Sequence, residues 1–385
     1  MVSHIYKNIK RNKSSIVPLT NKVRQHFIKG PFVEIKGPIE QHYKVQFIDN
    51  RTAKVMYETQ IKNNHWSRCN FEFFVDWKVR VLENDRVFYE ENFNAKGKRV
   101  YIALDSKALG DTLAWLPQVD EFQRVHDCEL ICSTFHNQMF MDEYPHIEFV
   151  DPGSIVENLY AMYTIGLYYN EDSSVNYLKN PNNFLDQPLQ KMASDILGLN
   201  YREIKPKLKK SSVKKDEKLK QVCIAIHGTA QTKYWNNPLG WQEVVDWLND
   251  RGYVVKLLSR EGDGYMGNPH PKGIVQHPSG PLSSVIEELQ KSEAFIGIGS
   301  GLSWLSWATG TKTVLISGFS YDWAEMEDCI RIGSPKGKCV GCFNRLRLDA
   351  GDWNWCPDHK GTERQFECTK SITGEMVIKE LEKFL

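Results

Sequence analysis

The sequence predicts an α/β protein of two Rossmann-like halves, with a β-rich module in front and a four-cysteine segment behind. Three observations carry that reading. Apolar runs of strand length alternate with helical patterns twice, from about residue 99 and again from about residue 221. Glycines punctuate the strand-to-helix turns of the second series. A chain of 385 residues also exceeds one ordinary core, so two or three domains are expected.

The elements follow in order. Residues 1–30 read as a polar arm. Residues 31–98 have the period of strands: "YKVQFID" places Tyr43, Val45 and Phe47 on one face, and "KVMYET", "WKVRVLE" and "RVFYEE" are further short β runs. Asp49-Asn50-Arg51 and Glu83-Asn84-Asp85 are turn residues between them. The first Rossmann-like domain spans 99–204. Its buried strand is Val100–Leu104, a helix follows from about Asp111, and "CELICST" and "IEFVD" repeat the strand theme. Residues 205–220, "KPKLKKSSVKKDEKLK", are a charged linker. The second Rossmann-like domain, 221–335, alternates "VCIAIHG", "YVVKLLS", "AFIGIGS" and "TKTVLISG" with helical segments. Residues 336–385 hold the cysteine segment and a C-terminal helix. Two such halves in tandem place a ligand in the cleft between the carboxyl edges of their strands.

Composition narrows the function classes. Net charge is +1 with both signs interspersed, so no field favours nucleic acid or membrane. No run reaches the ~20 apolar residues of a membrane span. The basic start, "MVSHIYKNIKRNKSSIV", has no apolar stretch of the kind a secretory signal carries, so a soluble cytoplasmic protein is expected. Eleven tryptophans supply core, with some available to a sugar or base site.

Four stretches carry candidate chemistry. In "SKALGDTLAWLP", Asp111 opens a helix, either as its cap or as a general base facing the cleft. In "HGTAQTKYWNNPLGW", a loop of small residues including Thr229 carries Lys233, which is solvated or neutralises a diphosphate. In "GIGSGLSWLSWATG", the small residues pack helix on sheet or let a phosphate approach the helix amides at Ser300, Gly301 and Leu302. The spacing departs from the dinucleotide fingerprint, which disfavours a nicotinamide enzyme. In "SREGDG", Arg260 and Glu261 form a surface pair or hold a ribose and base. Gly110, Thr112 and Trp304 are candidates to line the cleft.

Nine cysteines divide into two groups. Cys69, Cys128, Cys132, Cys223 and Cys329 are scattered and read as buried free thiols. Cys339, Cys342, Cys356 and Cys368 have a tetrathiolate spacing, opened by a tight C-x-x-C knuckle. Four thiolates saturate a tetrahedral metal, so the role is structural, and zinc is the default ion. Asp352, Asp358 and His359 inside the loop are expected to be solvated. Phe343, Trp353 and Trp355 are too apolar for a free finger and predict packing on the catalytic domain or a neighbouring subunit.

Together "LGDTLAWLP", "HGTAQTKYWNNPLGWQEVVDWL", "LLSREGD" and "IGIGSGLSWLSWATGTKTVLISGF" resemble the ADP-heptose-using heptosyltransferases, two-domain GT-B glycosyltransferases. Lipopolysaccharide heptosyltransferases that resemble this chain have an acidic residue where Gly299 stands and a histidine where Trp304 stands. The sequence is more similar to the bacterial autotransporter heptosyltransferases, in the "SGLSWLSWA" helix, the β-rich N-terminal module and the cysteine segment. That resemblance implies a GT-B-like fold with a facing cleft, and transfer of heptose from ADP-heptose to serine hydroxyls of an autotransporter adhesin passenger. It makes Asp111 the base and Lys233 the diphosphate partner. Ser300, Gly301 and Leu302 become phosphate-binding amides, and Glu261 a ribose or adenine contact. A single base suits an inverting displacement. The resemblance further implies iron in the four-cysteine site, with zinc able to substitute, and a ring-like homo-oligomer such as a dodecamer. On this reading Cys339→Ser costs metal and assembly rather than nucleotide recognition. The alternatives are a GT-B enzyme using a UDP- or GDP-sugar, a non-catalytic metal-finger scaffold, and a nucleic-acid-binding protein.

Overall fold

A computed structural model describes residues 20–209 and 220–385. Most of the expected arm and of the expected linker lies outside those residues. Inside the arm, however, Lys22–Ile28 form a strand, β1, antiparallel to β2 (Phe32–Lys36) with Val23 opposite Ile35 and Gln25 opposite Val33. Charged Lys22 and Arg24 on the alternate face hide the apolar period there.

The chain divides into two compact units. The smaller holds β1 to β7, and two antiparallel sets account for them. One set is β1, β2 and β5 (His65–Arg68). The other is ordered β4 (Lys54–Lys62), β3 (His42–Asp49), β6 (Trp77–Glu83) and β7 (Arg86–Asn92). Val45 opposes Val81 and Phe47 opposes Val79, all fully buried, so one face of this sheet is a core. Asn84 and Asp85 both have positive φ, the two-residue turn whose twist matches a hairpin.

The larger unit contains both α/β halves. In the first, parallel strands run in the order β10 (Ile147–Val150), β9 (Glu129–Ser133), β8 (Arg99–Leu104), β11 (Ala161–Ile165). Helix α1 (Leu109–His126) connects β8 to β9, and α2 (Leu189–Ile196) lies further along the chain. In the second, six parallel strands are ordered β14 (Ile274–Gln276), β13 (Val254–Leu257), β12 (Gln221–Ala225), β15 (Ala294–Ile298), β16 (Lys312–Ile316), β17 (Ile330–Ile332). This is the doubly wound order, with helices α3 (Gly240–Asp250), α4 (Leu282–Lys291) and α5 (Gly301–Thr309) in the crossovers. Two further helices, α6 (Glu367–Lys370) and α7 (Gly374–Leu381), follow the cysteine segment. Ile372, Val377 and Leu381 complete the core built by Val222, Ile224, Val255 and Ile296.

Each parallel sheet has one point where the strand order reverses: between β8 and β11, and between β12 and β15. Crevices at such points open at the strands' carboxyl ends, because neighbouring connections leave in opposite directions. Among the described residues no helix is long and apolar enough to cross a membrane.

Candidate active site

Asp111 sits in the first turn of α1, immediately after the β8 reversal point. It is half-buried, and its Oδ2 accepts a hydrogen bond from Ser106 Oγ at 2.6 Å. Ala108, not Asp111, occupies the cap position, so the carboxylate is not consumed in capping the helix. Burial raises its proton affinity above the ordinary carboxylate value, and the Ser106 bond and the Lys233 charge only partly offset that.

Lys233 comes from the other half, in a 3-10 turn, Gln231–Lys233, downstream of β12. Its ammonium lies 5.3 Å from the centroid of the Phe319 ring. Burial lowers its pKa, while the carboxylates of Asp111 and Glu325 pull it back up. No carboxylate makes a direct ion pair with this ammonium among the described residues. It is a desolvated cation facing acidic groups from both halves.

The third component is the β15–α5 turn. Ser300 flanks α5, and its Oγ is buried without a partner among the described residues. The next amides, at Gly301 and Leu302, are the open N–H groups of a helix N-terminus. Gly301 is glycine because α1 passes close by: a Cβ there would lie 3.0 Å from Leu109 Cβ and 3.2 Å from Gly110 N. Gly110 reciprocates, since its Cβ would meet Trp304 Cδ1 at 2.9 Å. The N-termini of α1 and α5 thus approach each other, bringing Asp111 and Ser300 to one place. Trp304 is buried against Trp307 as part of this packing, and Thr112 is fully buried with its hydroxyl on Ala108 O.

A polar cluster flanks Lys233 at the ends of β12 and β13. Ser259 Oγ donates to Glu261 Oε2 at 2.9 Å and meets His227 Nδ1 at 2.6 Å. A carboxylate only accepts, so the serine proton goes to Glu261 and His227 Nδ1 is the donor to Ser259. That leaves Nε2 of His227 as a buried acceptor without a partner, and His270 Nε2 is unpartnered beside it. Burial lowers the His227 pKa, ahead of the opposing Glu261 charge, which keeps the ring neutral. Sequence reasoning missed both histidines. The only available signal was the position of His227 just past a buried strand. Thr229 and Arg260 are exposed at the rim of the same region.

The four cysteines form a neighbourhood in which thiols act on one another. Burial, and then nearby charges that include the other thiols, raise Cys339, lift Cys342 to about 11 and Cys368 to about 12. All nine cysteines are free. Among the described residues no group of three or more His, Cys, Asp or Glu side chains converges in a metal-holding arrangement. Asp358 is exposed and pairs with Arg345, while the less exposed Asp352 and His359 meet Lys360 at 2.6 Å and Glu367 at 3.8 Å. The loop is compact enough to pair its own charges. The segment is also joined to the Lys233 turn. Gln231 N donates to Trp353 O at 2.9 Å, Thr232 Oγ1 lies 3.9 Å from Cys342 Sγ, and Asn236 Nδ2 donates to Thr369 Oγ1 at 2.9 Å. A separate small pocket, lined by Leu167, Tyr169, Phe184, Met192 and Phe343 among others, has no Asp, Glu, Lys, Arg, His or Cys in its wall and is not this site.

Comparison with known proteins decides the family. No family model matches the chain. The chain is 33% identical over 380 residues to the autotransporter heptosyltransferase Aah of Escherichia coli, covering 96% of this chain and 93% of that one. It is 36% identical over 349 residues to the autotransporter heptosyltransferase BAHTCr of Citrobacter rodentium, covering 88% and 84%. The chain belongs to the autotransporter heptosyltransferase family. A crystal structure of another such heptosyltransferase, the iron-containing dodecameric TibC from enterotoxigenic E. coli, superposes with a TM-score of 0.85 at 32% identity over 94% of this chain and 95% of that one. TibC has also been crystallised with ADP-D-β-D-heptose. The paired α/β halves of this heptosyltransferase are therefore the GT-B-like fold of a glycosyltransferase.

Proposed function

We propose that this heptosyltransferase moves heptose from ADP-heptose to serine hydroxyls of an autotransporter passenger, in one inverting displacement. The observation that carries the reading is the meeting of Asp111 from one half with Lys233 and the unpartnered Ser300 hydroxyl from the other. Asp111 takes the proton of the acceptor hydroxyl as its oxygen attacks the anomeric carbon. The bond from that carbon to the diphosphate breaks, and ADP leaves with the electron pair. Lys233 and the α5 amides offset the charge gathering on the diphosphate, in a desolvated site where such stabilisation is strong. A proton-hungry carboxylate is the better base, which is the use of Asp111's burial. Glu261, oriented by Ser259, accepts from ribose hydroxyls, and His227 Nε2 accepts from a hydroxyl or amino group of the nucleoside. Thr229 and Arg260 border the donor, while Gly110 and Trp304 set the approach of the two helices.

Cys339, Cys342, Cys356 and Cys368 would hold a structural iron, with zinc able to replace it. An all-sulfur donor set suits either metal, and a cation bound there would favour the thiolate forms that burial disfavours in Cys339, Cys342 and Cys368. The metal ties the segment together when bound. The free thiols suit a reducing compartment, the cytoplasm. Similarity to TibC supports a ring-like homo-oligomer, in which the β-rich N-terminal module, 31–98, contacts the acceptor or a neighbouring protomer.

Calorimetric titration with ADP-heptose, UDP-glucose and GDP-mannose tests the donor. Binding of ADP-heptose alone is expected. Preference for another nucleotide sugar would keep the fold and remove the heptosyl assignment.

A further inference from the structure

The site contains a second carboxylate, Glu325, that the transfer step above does not use. It lies between β16 and β17, and only 11% of its side chain is exposed. Arg331 Nη1 binds its Oε2, while Nη2 of the same guanidinium donates to Ser320 O at 2.8 Å and Ser320 Oγ at 3.2 Å. That fork fixes the carboxylate and occupies one of its two oxygens. Oε1 has no hydrogen-bond partner among the described residues.

Oε1 points at the β15–α5 turn. A Cβ built on Gly299 would lie 2.8 Å from it and 3.6 Å from Ser317 Oγ, so any side chain at 299 would displace this oxygen. Its charge also reaches Lys233, which places Glu325 at the donor side of the cleft. Arg331 holds one carboxylate oxygen and leaves the other able to accept from a donor group. Phosphate cannot be that group, because like charges repel. Hydroxyls can.

We propose that Glu325 is a donor-specificity residue, whose Oε1 accepts hydrogen bonds from hydroxyls of the sugar carried on the diphosphate. Lys233 and the α5 amides hold the phosphates, Glu325 holds the sugar, and Gly299 keeps the space between them open. A buried acceptor built for a hydroxyl discriminates strongly, since a donor lacking that hydroxyl leaves the carboxylate unpaired. The inference rests on the nucleotide-sugar reading of the same site.

The test compares ADP and ADP-heptose on the full-length parent, Glu325→Gln and Gly299→Ala. Binding is measured by calorimetry and transfer by the mass of a passenger acceptor. Glu325→Gln keeps the shape but not the charge. Gly299→Ala leaves the Arg331 ion pair in place and crowds Oε1, and it decides the matter if the glutamine variant fails to fold. Both variants are expected to bind ADP within about twofold of the parent, while kcat/KM for ADP-heptose falls by about tenfold to a hundredfold. A structural role would weaken ADP and ADP-heptose alike, so equal losses overturn the proposal, as does parental kcat/KM in the folded variants. A parent that binds ADP but not ADP-heptose overturns the nucleotide-sugar reading itself.

Discussion

At the scale of single residues, Asp111 and Lys233 are both moved by burial towards their neutral forms, and each is pulled back by the other. Transfer requires the carboxylate ionised and the ammonium protonated. The acid limb of the rate profile is therefore expected above the ordinary carboxylate value of 3.8, and the alkaline limb below the ordinary lysine value of 10.5. A kcat/KM profile against pH checks both limbs. The sign of the stability effect follows as well. A carboxyl whose proton affinity rises on folding loses stability as pH climbs from its unfolded pKa to its raised folded one, and above that the full cost of holding the disfavoured anion is present. Asp111→Asn is thus expected to melt no lower than the parent at neutral pH. Lys233→Met should weaken ADP binding by about tenfold to a hundredfold, the cost of one charge-assisted contact, measured by calorimetry. Asp111, Lys233 and Ser300 were legible in the sequence because each follows a recognisable buried strand. His227, His270 and Glu325 were not. Their significance lies in unpartnered atoms, and in the Gly299–Glu325 approach, neither of which a linear pattern encodes.

At the scale of elements, the four-cysteine segment braces the turn that presents Lys233. Gly341 N and Phe343 N donate to Gly318 O at 3.0 Å and Phe319 O at 3.1 Å, and the Phe319 ring that stacks on Phe343 is the one beneath the Lys233 ammonium. The expectation that Cys339→Ser spares nucleotide recognition does not extend to Cys342, whose Sγ faces Thr232 next to Lys233. Cys342→Ser is expected to lower metal content and to weaken ADP binding several-fold. Metal analysis and calorimetry on one preparation check it, and full ADP affinity in metal-free protein would contradict it. The long apolar strands β8, β12, β15 and β16 could be read directly, as could α1, α3, α4 and α5. The three-residue strands β14 and β17 are too short to show a period, and only pairing to neighbours already in the sheet makes them strands. β1 was obscured by its charged alternate face.

At the scale of the whole molecule, light scattering is expected to give a mass several times that of one chain, and chelation of the metal to lower it. The two-half architecture was legible because doubly wound sheets write their strand order into alternating apolar runs and glycine turns. The number of subunits was not, since assembly depends on surfaces that no periodicity marks. The central claim is that Asp111 activates an acceptor hydroxyl against a nucleotide-bound heptose. Its most direct test is intact-mass analysis of an autotransporter passenger incubated with ADP-heptose and either the parent or Asp111→Asn. The account predicts heptose addition by the parent, and by the variant a rate lower by about 10²–10⁴ with ADP-heptose affinity nearly unchanged. Transfer by Asp111→Asn at the parental rate would contradict it.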